Sequence, residues 1–136
     1  MIAKAVIYQA SGLDIFVSEI SVAVVDDDKS LRNALVGLLQ VSDYSATGFE
    51  SAESFLDSAE AEAVNCLITD VNMPGMSGIK LKKIMLNRRS YLPVIMITAL
   101  KDKAVLEEAM ESEQIFLLEK PFDSELLLEC LYRIFW

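Results

Sequence analysis

Asp26, Asp27, Asp70, Thr98 and Lys120 are the residues in this chain best suited by type to handle a small oxyanion and a divalent cation. Each stands where a short apolar run stops. Val22-Ala23-Val24-Val25 ends at Asp26-Asp27-Asp28, Val64 to Thr69 at Asp70, Pro93 to Ile97 at Thr98, and Ile115 to Leu118 at Glu119-Lys120-Pro121. Strand-end aspartates often do no more than cap helices or turns. The recurrence of functional groups at one kind of position is what favours chemistry here. In an open parallel sheet the carboxyl ends of the strands share one edge, where the crevice lies, so these residues converge. Carboxylates gathered there repel one another and stay ionised together only beside a cation. An all-oxygen set with no histidine points to a hard ion, Mg²⁺ or Mn²⁺. A lysine and a hydroxyl add donors for a phosphoryl group, and an aspartate in that setting can act as nucleophile and form an acyl phosphate.

The elements that must position these groups follow from two alternating periods. Between the apolar runs, Leu31, Ala34, Leu35, Leu38 and Leu39 form one helical stripe after Asp28, which suits a helix cap. Tyr44 to Phe49 reads as a weaker strand, and Ser51 caps a short helix with Phe55 and Leu56. Met73-Pro74-Gly75-Met76-Ser77-Gly78 is a loop, followed by a helix through Ile79, Leu81, Ile84 and Met85. A helix from about Asp102 turns Leu106, Ala109 and Met110 inward, and Asp123 or Ser124 caps a last one with Leu127, Cys130, Leu131 and Ile134. Five strands alternating with five helices, the strands almost wholly apolar, make an α/β fold whose parallel sheet is covered on both faces.

Composition narrows the functions. The 136 residues carry 21 Asp and Glu against 12 Lys and Arg, a formal charge of −9, and no histidine. Such a domain repels nucleic acid and lacks histidine triads, histidine metal sites and any phosphohistidine. Cys66 and Cys130 sit in apolar runs without metal or redox spacing, which reads as small core residues in a reducing, cytoplasmic compartment. No stretch is long and apolar enough to span a membrane, and the start is a poor signal peptide.

Val22-Ala23-Val24-Val25-Asp26-Asp27-Asp28, Leu67-Ile68-Thr69-Asp70-Val71-Asn72-Met73-Pro74-Gly75-Met76-Ser77-Gly78, Val94-Ile95-Met96-Ile97-Thr98-Ala99 and Glu119-Lys120-Pro121-Phe122 together resemble the receiver domain of two-component response regulators. The likeness covers residues 21–136 and is greatest to FixJ/NarL-type receivers, which usually precede a helix-turn-helix domain. It implies a flavodoxin-like, doubly wound five-stranded parallel sheet of order 2-1-3-4-5 with five helices. It also implies that Asp70 accepts a phosphoryl group from the phosphohistidine of a sensor histidine kinase. Asp27 and Asp70 would bind Mg²⁺ directly, Asp26 through a water, and Asn72 through its backbone carbonyl. Thr98 would donate its hydroxyl to the phosphoryl oxygen, Lys120 would pair with the acceptor, and Pro121 would follow the cis peptide bond usual in the family. Phosphorylation would alter the face made by the fourth helix, fifth strand and fifth helix, through which the domain could form a homodimer.

Two positions depart from the family pattern. The residue three before the lysine, commonly an aromatic that swings inward, is Leu117, while Phe116 stands on the opposite strand face. Ser112-Glu113-Gln114 replaces the usual Gly-Ala pair before the fifth strand. Both suit a domain that accepts phosphate and transmits it weakly, or an interaction module of the same fold that works without phosphorylation. A Mg²⁺-dependent phosphatase is disfavoured because Asn72, two residues after Asp70, cannot serve as a general acid–base. Residues 1–20 form an extension in which Ile2 to Tyr8 and Ile15 to Ile20 flank Ser11-Gly12. A hairpin, an added edge strand or a helix on a neighbouring subunit would accommodate it, and so would a disordered or mis-assigned start. Lys80, Lys82, Lys83, Arg88 and Arg89 read as a solvated basic helix face, whereas residues 101–136 hold nine acids against four bases. Any DNA-binding output would lie beyond Trp136.

Overall fold

The computed structural model describes residues 6–10, 13–17, 20–99, 107 and 115–136. Strands β1 (Val6–Ala10) and β2 (Leu13–Val17) pair antiparallel, Val6 opposite Val17 and Ala10 opposite Leu13, as a sheet of their own. Among the arrangements open to the N-terminal extension, this is the hairpin. The remaining strands are β3 (Ser21–Val25), β4 (Ser45–Phe49), β5 (Cys66–Asp70), β6 (Val94–Thr98) and β7 (Ile115–Glu119). They form one parallel sheet in the order β4-β3-β5-β6-β7, which is 2-1-3-4-5 among the five.

Among the described residues the helices are α1 (Lys29–Val41), α2 (Ala52–Leu56), α3 (Glu60–Ala63), α4 (Gly78–Arg88) and α5 (Ser124–Phe135). The two faces of the sheet carry separate cores. Ala23, Val25, Leu67 and Met96 pack with Phe55, Leu81 and Met85 on the α2–α4 side. Val22, Val24, Ile68, Ile95 and Ile97 pack with Leu35, Leu39, Leu127 and Leu131 on the side of α1 and α5. Strands β5 and β6 are buried along their whole length, which explains their unbroken apolar sequences. Strand β4 lies at the sheet edge and is mostly exposed, hence its weaker signal.

Several sequence expectations need correction. The single short helix after Ser51 is two, because the chain turns after Leu56, where the Ser58 hydroxyl donates to the Phe55 carbonyl at 2.6 Å. Ala34 is exposed, and only Leu35 and Leu39 of the α1 stripe are fully buried. Leu31, Ala34 and Leu38 instead line a groove of about 650 Å³ shared with Pro121 and Phe122. Lys82 is 2% exposed, so it is not part of a solvated face; Lys80, Lys83 and Arg88 are exposed. Apart from Glu107, which is helical, the helix expected from Asp102 and the Ser112-Glu113-Gln114 exit lie outside the described residues.

Candidate functional site: an acidic pocket at the strand ends

Sheet register brings the acidic residues together. Val25 pairs with Thr69, so the next residues, Asp26 and Asp70, leave neighbouring strands side by side. Asp70 pairs with Ile97, which sets Thr98 one step beyond, and Thr98 pairs with Glu119, directly before Lys120. The Lys120 backbone N–H donates to the Thr98 carbonyl at 2.7 Å. One carboxylate oxygen each from Asp26, Asp27 and Asp70 lie within 4.8 Å of one another. Asp26 and Asp70 are buried, whereas Asp27 is exposed at the mouth. Thr98 is buried as well.

Local bonds hold the Asp26 and Asp70 carboxylates. Asp26 Oδ1 accepts the Asp28 backbone N–H at 2.9 Å, and Asp28 Oδ1 in turn caps α1 at Leu31. Asp70 Oδ1 accepts the Asn72 N–H at 3.2 Å, while Asp70 Oδ2 accepts from Lys120 Nζ at 3.0 Å. Lys120 Nζ also lies 3.8 Å from Asp26 Oδ2. That oxygen is buried and has no hydrogen-bond partner among the described residues. A buried carboxylate oxygen left without a donor is costly. Together with the crowding of three carboxylates, it shows that the donor set fits a hard, oxygen-seeking cation such as Mg²⁺.

The electrostatics agree with that reading. Burial pushes the Asp26 carboxyl above its ordinary range, with the charges of Asp70 and Asp27 adding to the effect, while the Asp28 N–H and Lys120 oppose it. Burial alone would lower the Lys120 ammonium, but its hydrogen bond to Asp70 and the charges of Asp70, Asp26 and Asp28 leave it raised. Lys120 therefore stays cationic and only partly neutralises the pocket.

Leu117 and Phe116 stand on opposite faces of β7. Leu117 packs against the α2–α4 core and Phe116 against the α1–α5 core. The peptide bond between Lys120 and Pro121 is cis. Cys66 is buried and free, its thiol pushed up by burial, and Cys130 is half-buried and free.

Two contributors escaped the sequence reading. Arg32 donates from a guanidinium nitrogen to the Asp26 carbonyl at 2.7 Å, and its stem lies over Gly48 of β4. Gly78 opens α4 so close to Asp70 that a Cβ there would collide with the Asp70 carbonyl. Its N–H donates to the Val71 carbonyl at 2.9 Å. The Ser77-Gly78 pair at a helix start was the available signal for Gly78; Arg32 had none, because its contact depends on tertiary adjacency.

Residues 22–132 match the family model described as the response regulator receiver domain. The chain is 36% identical over 104 residues to the transcriptional regulatory protein FixJ of Bradyrhizobium diazoefficiens and 38% identical over 107 residues to FixJ of Azorhizobium caulinodans. These matches cover 76% and 79% of this chain and 51% of each relative, so the chain spans about half the length of the curated relatives it matches. Among solved structures, FixJ-N is 32% identical with a TM-score of 0.75, covering 87% of this chain and 94% of its own. Chemotaxis protein CheY4 of Vibrio cholerae is 28% identical with a TM-score of 0.77, covering 85% and 98%. No helix among the described residues is long and apolar enough to cross a membrane.

Proposed function

The chain belongs to the response regulator receiver family, and from that premise we propose that it is the phosphoacceptor switch of a two-component system, taking a phosphoryl group from a sensor histidine kinase onto Asp70. The observation that carries the reading is the joint placement of Asp26, Asp27, Asp70 and Lys120 at one sheet edge, with Lys120 Nζ 3.0 Å from Asp70 Oδ2.

Asp27 and Asp70 would hold Mg²⁺ directly, Asp26 would act through a water, and the Asn72 carbonyl would complete the protein ligands; Mn²⁺ satisfies the same donors. The bound ion supplies charge neutralisation on the oxygens of the transferring group. One Asp70 carboxylate oxygen attacks phosphorus as the bond to the donor breaks, leaving an acyl phosphate. Lys120 moves its hydrogen bonds from the free carboxylate to the new phosphoryl oxygens, and Thr98 donates its hydroxyl to another of them. Catalysis is then positioning and electrostatics, so the domain is a switch rather than a turnover enzyme.

Phosphorylation would bias, only weakly given Leu117, the face that carries β7 and α5, where two copies can pair. Since the matched relatives are transcriptional regulators, an attached or partner domain would carry that change to transcription in the cytoplasm. This domain, at a net charge of −9, would not itself bind nucleic acid. Leu117 at the usual aromatic position favours a second reading, an interaction module of the same fold that signals without phosphate. Incubation with acetyl phosphate and Mg²⁺ should add one phosphoryl mass to the parent chain and none to Asp70→Asn. A parent chain of unchanged mass contradicts the assignment.

A further inference from the structure

The loop that leaves Asp70 is closed at its base and pinned at its tip. At the base, the Gly78 N–H donates to the Val71 carbonyl at 2.9 Å. At the tip, the Met76 N–H donates to Glu53 Oε2 at 3.2 Å, across 23 positions of sequence. Gly75, with φ of 75°, lies against the same carboxylate, and a Cβ built there would come within 2.8 Å of Glu53 Oε2. Pro74 has no N–H to offer, so the Glu53 bond is the side-chain anchor from outside the loop that the described residues provide.

Glu53 can reach this point because its helix is firmly seated. Ser51 caps α2 by accepting the Ser54 N–H at 3.0 Å, and Ala52 and Phe55, on either side of Glu53, are fully buried. Phe55 also meets Phe49 edge-to-face at 5.3 Å. Glu53 itself is exposed, so the core does not depend on its side chain.

We propose that Glu53 is a positioning residue for the acidic pocket: by accepting the Met76 N–H it fixes the 72–77 loop and so the Asn72 carbonyl that would face the cation. The inference rests on the phosphoacceptor reading above. Glu53 touches neither metal nor phosphoryl group and acts through the loop. An anionic carboxylate could also attract a cation from a distance, and the two effects separate in the amide variant. Glu53→Gln keeps an acceptor oxygen and removes the charge, whereas Glu53→Ala removes both.

The test is Mg²⁺ titration of the full chain by calorimetry, with hydrogen exchange at the Met76 amide and the melting temperature measured on the same samples. Glu53→Ala is expected to bind Mg²⁺ about three- to tenfold more weakly, in line with the loss of one solvent-exposed hydrogen bond of ordinary strength, and to exchange the Met76 amide faster. Glu53→Gln should stay near the parent in both, with all three proteins melting together. Parent-like Mg²⁺ affinity in Glu53→Ala overturns the proposal, as does Glu53→Gln binding as weakly as Glu53→Ala or a melting temperature that falls in step with affinity. A parent that binds no Mg²⁺ contradicts the phosphoacceptor reading instead, and that result is visible before any variant is made.

Discussion

The pocket at the strand ends and strand β7 lie next to each other yet treat the family pattern differently. In the pocket, carboxylate oxygens of Asp26, Asp27 and Asp70 lie within 4.8 Å of one another and Lys120 bonds Asp70, while backbone N–H groups hold the Asp26 and Asp70 carboxylates and Arg32 holds the Asp26 carbonyl. On β7, the position three residues before Lys120 holds Leu117, half-buried against the α2–α4 core. An aliphatic side chain has no ring to swing and no hydroxyl to change partners. On the proposed reading, receiving a phosphoryl group and reporting it would therefore be separable in this chain. Reception would depend on charges fixed by the sheet edge, and transmission on one strand face that differs from the usual design.

Substitutions can break that contrast from either side. Lys120→Met should have the largest effect, slowing labelling by acetyl phosphate on the order of 100-fold, because it removes the cation that, among the described residues, bonds the acceptor. Labelling at the parent rate would show that the pocket does not need its lysine. Gly78→Ala comes next. Its Cβ collides with the Asp70 backbone, so chemical denaturation should show a loss of roughly 1–3 kcal/mol, with labelling slowed as Asp70 is displaced.

Asp26→Asn tests the pocket's electrostatics with opposite signs for two readouts. Burial raises the Asp26 carboxyl, so its ionised form costs the metal-free fold stability. An acid raised in the folded state makes the metal-free protein more stable as pH falls through its folded value toward the ordinary 3.8. Mg²⁺ affinity runs the other way and weakens over the same fall in pH. Asp26→Asn should therefore raise the metal-free melting temperature, worth on the order of 1 kcal/mol, while weakening Mg²⁺ binding roughly 10- to 100-fold. A drop in both would assign Asp26 a purely structural role.

The smallest effect is expected on the other side of the contrast. Leu117→Tyr should change the labelling rate by less than about twofold, since separated sites act nearly independently. It should enlarge the phosphorylation-dependent change in hydrogen exchange along β7 and α5. Equal exchange responses in parent and variant would remove Leu117 from the account of transmission.

Much of this was legible because the sheet imposes a simple grammar. A parallel strand buried on both faces must be apolar until it reaches the edge, so Asp70 after Cys66-Leu67-Ile68-Thr69 announces both a strand and its end. The four runs that end in Asp26, Asp70, Thr98 and Lys120 gave the sheet edge and the candidate set together. What was not legible depends on packing between distant segments. Arg32 reads as one more surface cation in α1 until Gly48 of β4 leaves room for its stem and the Asp26 carbonyl takes its guanidinium. Lys82 reads as solvated among its basic neighbours, yet it is among the most buried residues of α4. Glu53 carries no local signal at all, because its partner, the Met76 N–H, is brought to it by the turn after β5.

The contrast between pocket and strand is tested most directly by hydrogen exchange across the whole chain, with and without Mg²⁺ and beryllofluoride, a stable mimic of the phosphoryl group. Added protection should be strong in residues 26–28, 70–78 and 120–122, with little change in 116–119. Unchanged exchange around Asp70, or a response as large along β7 as in the pocket, would contradict it.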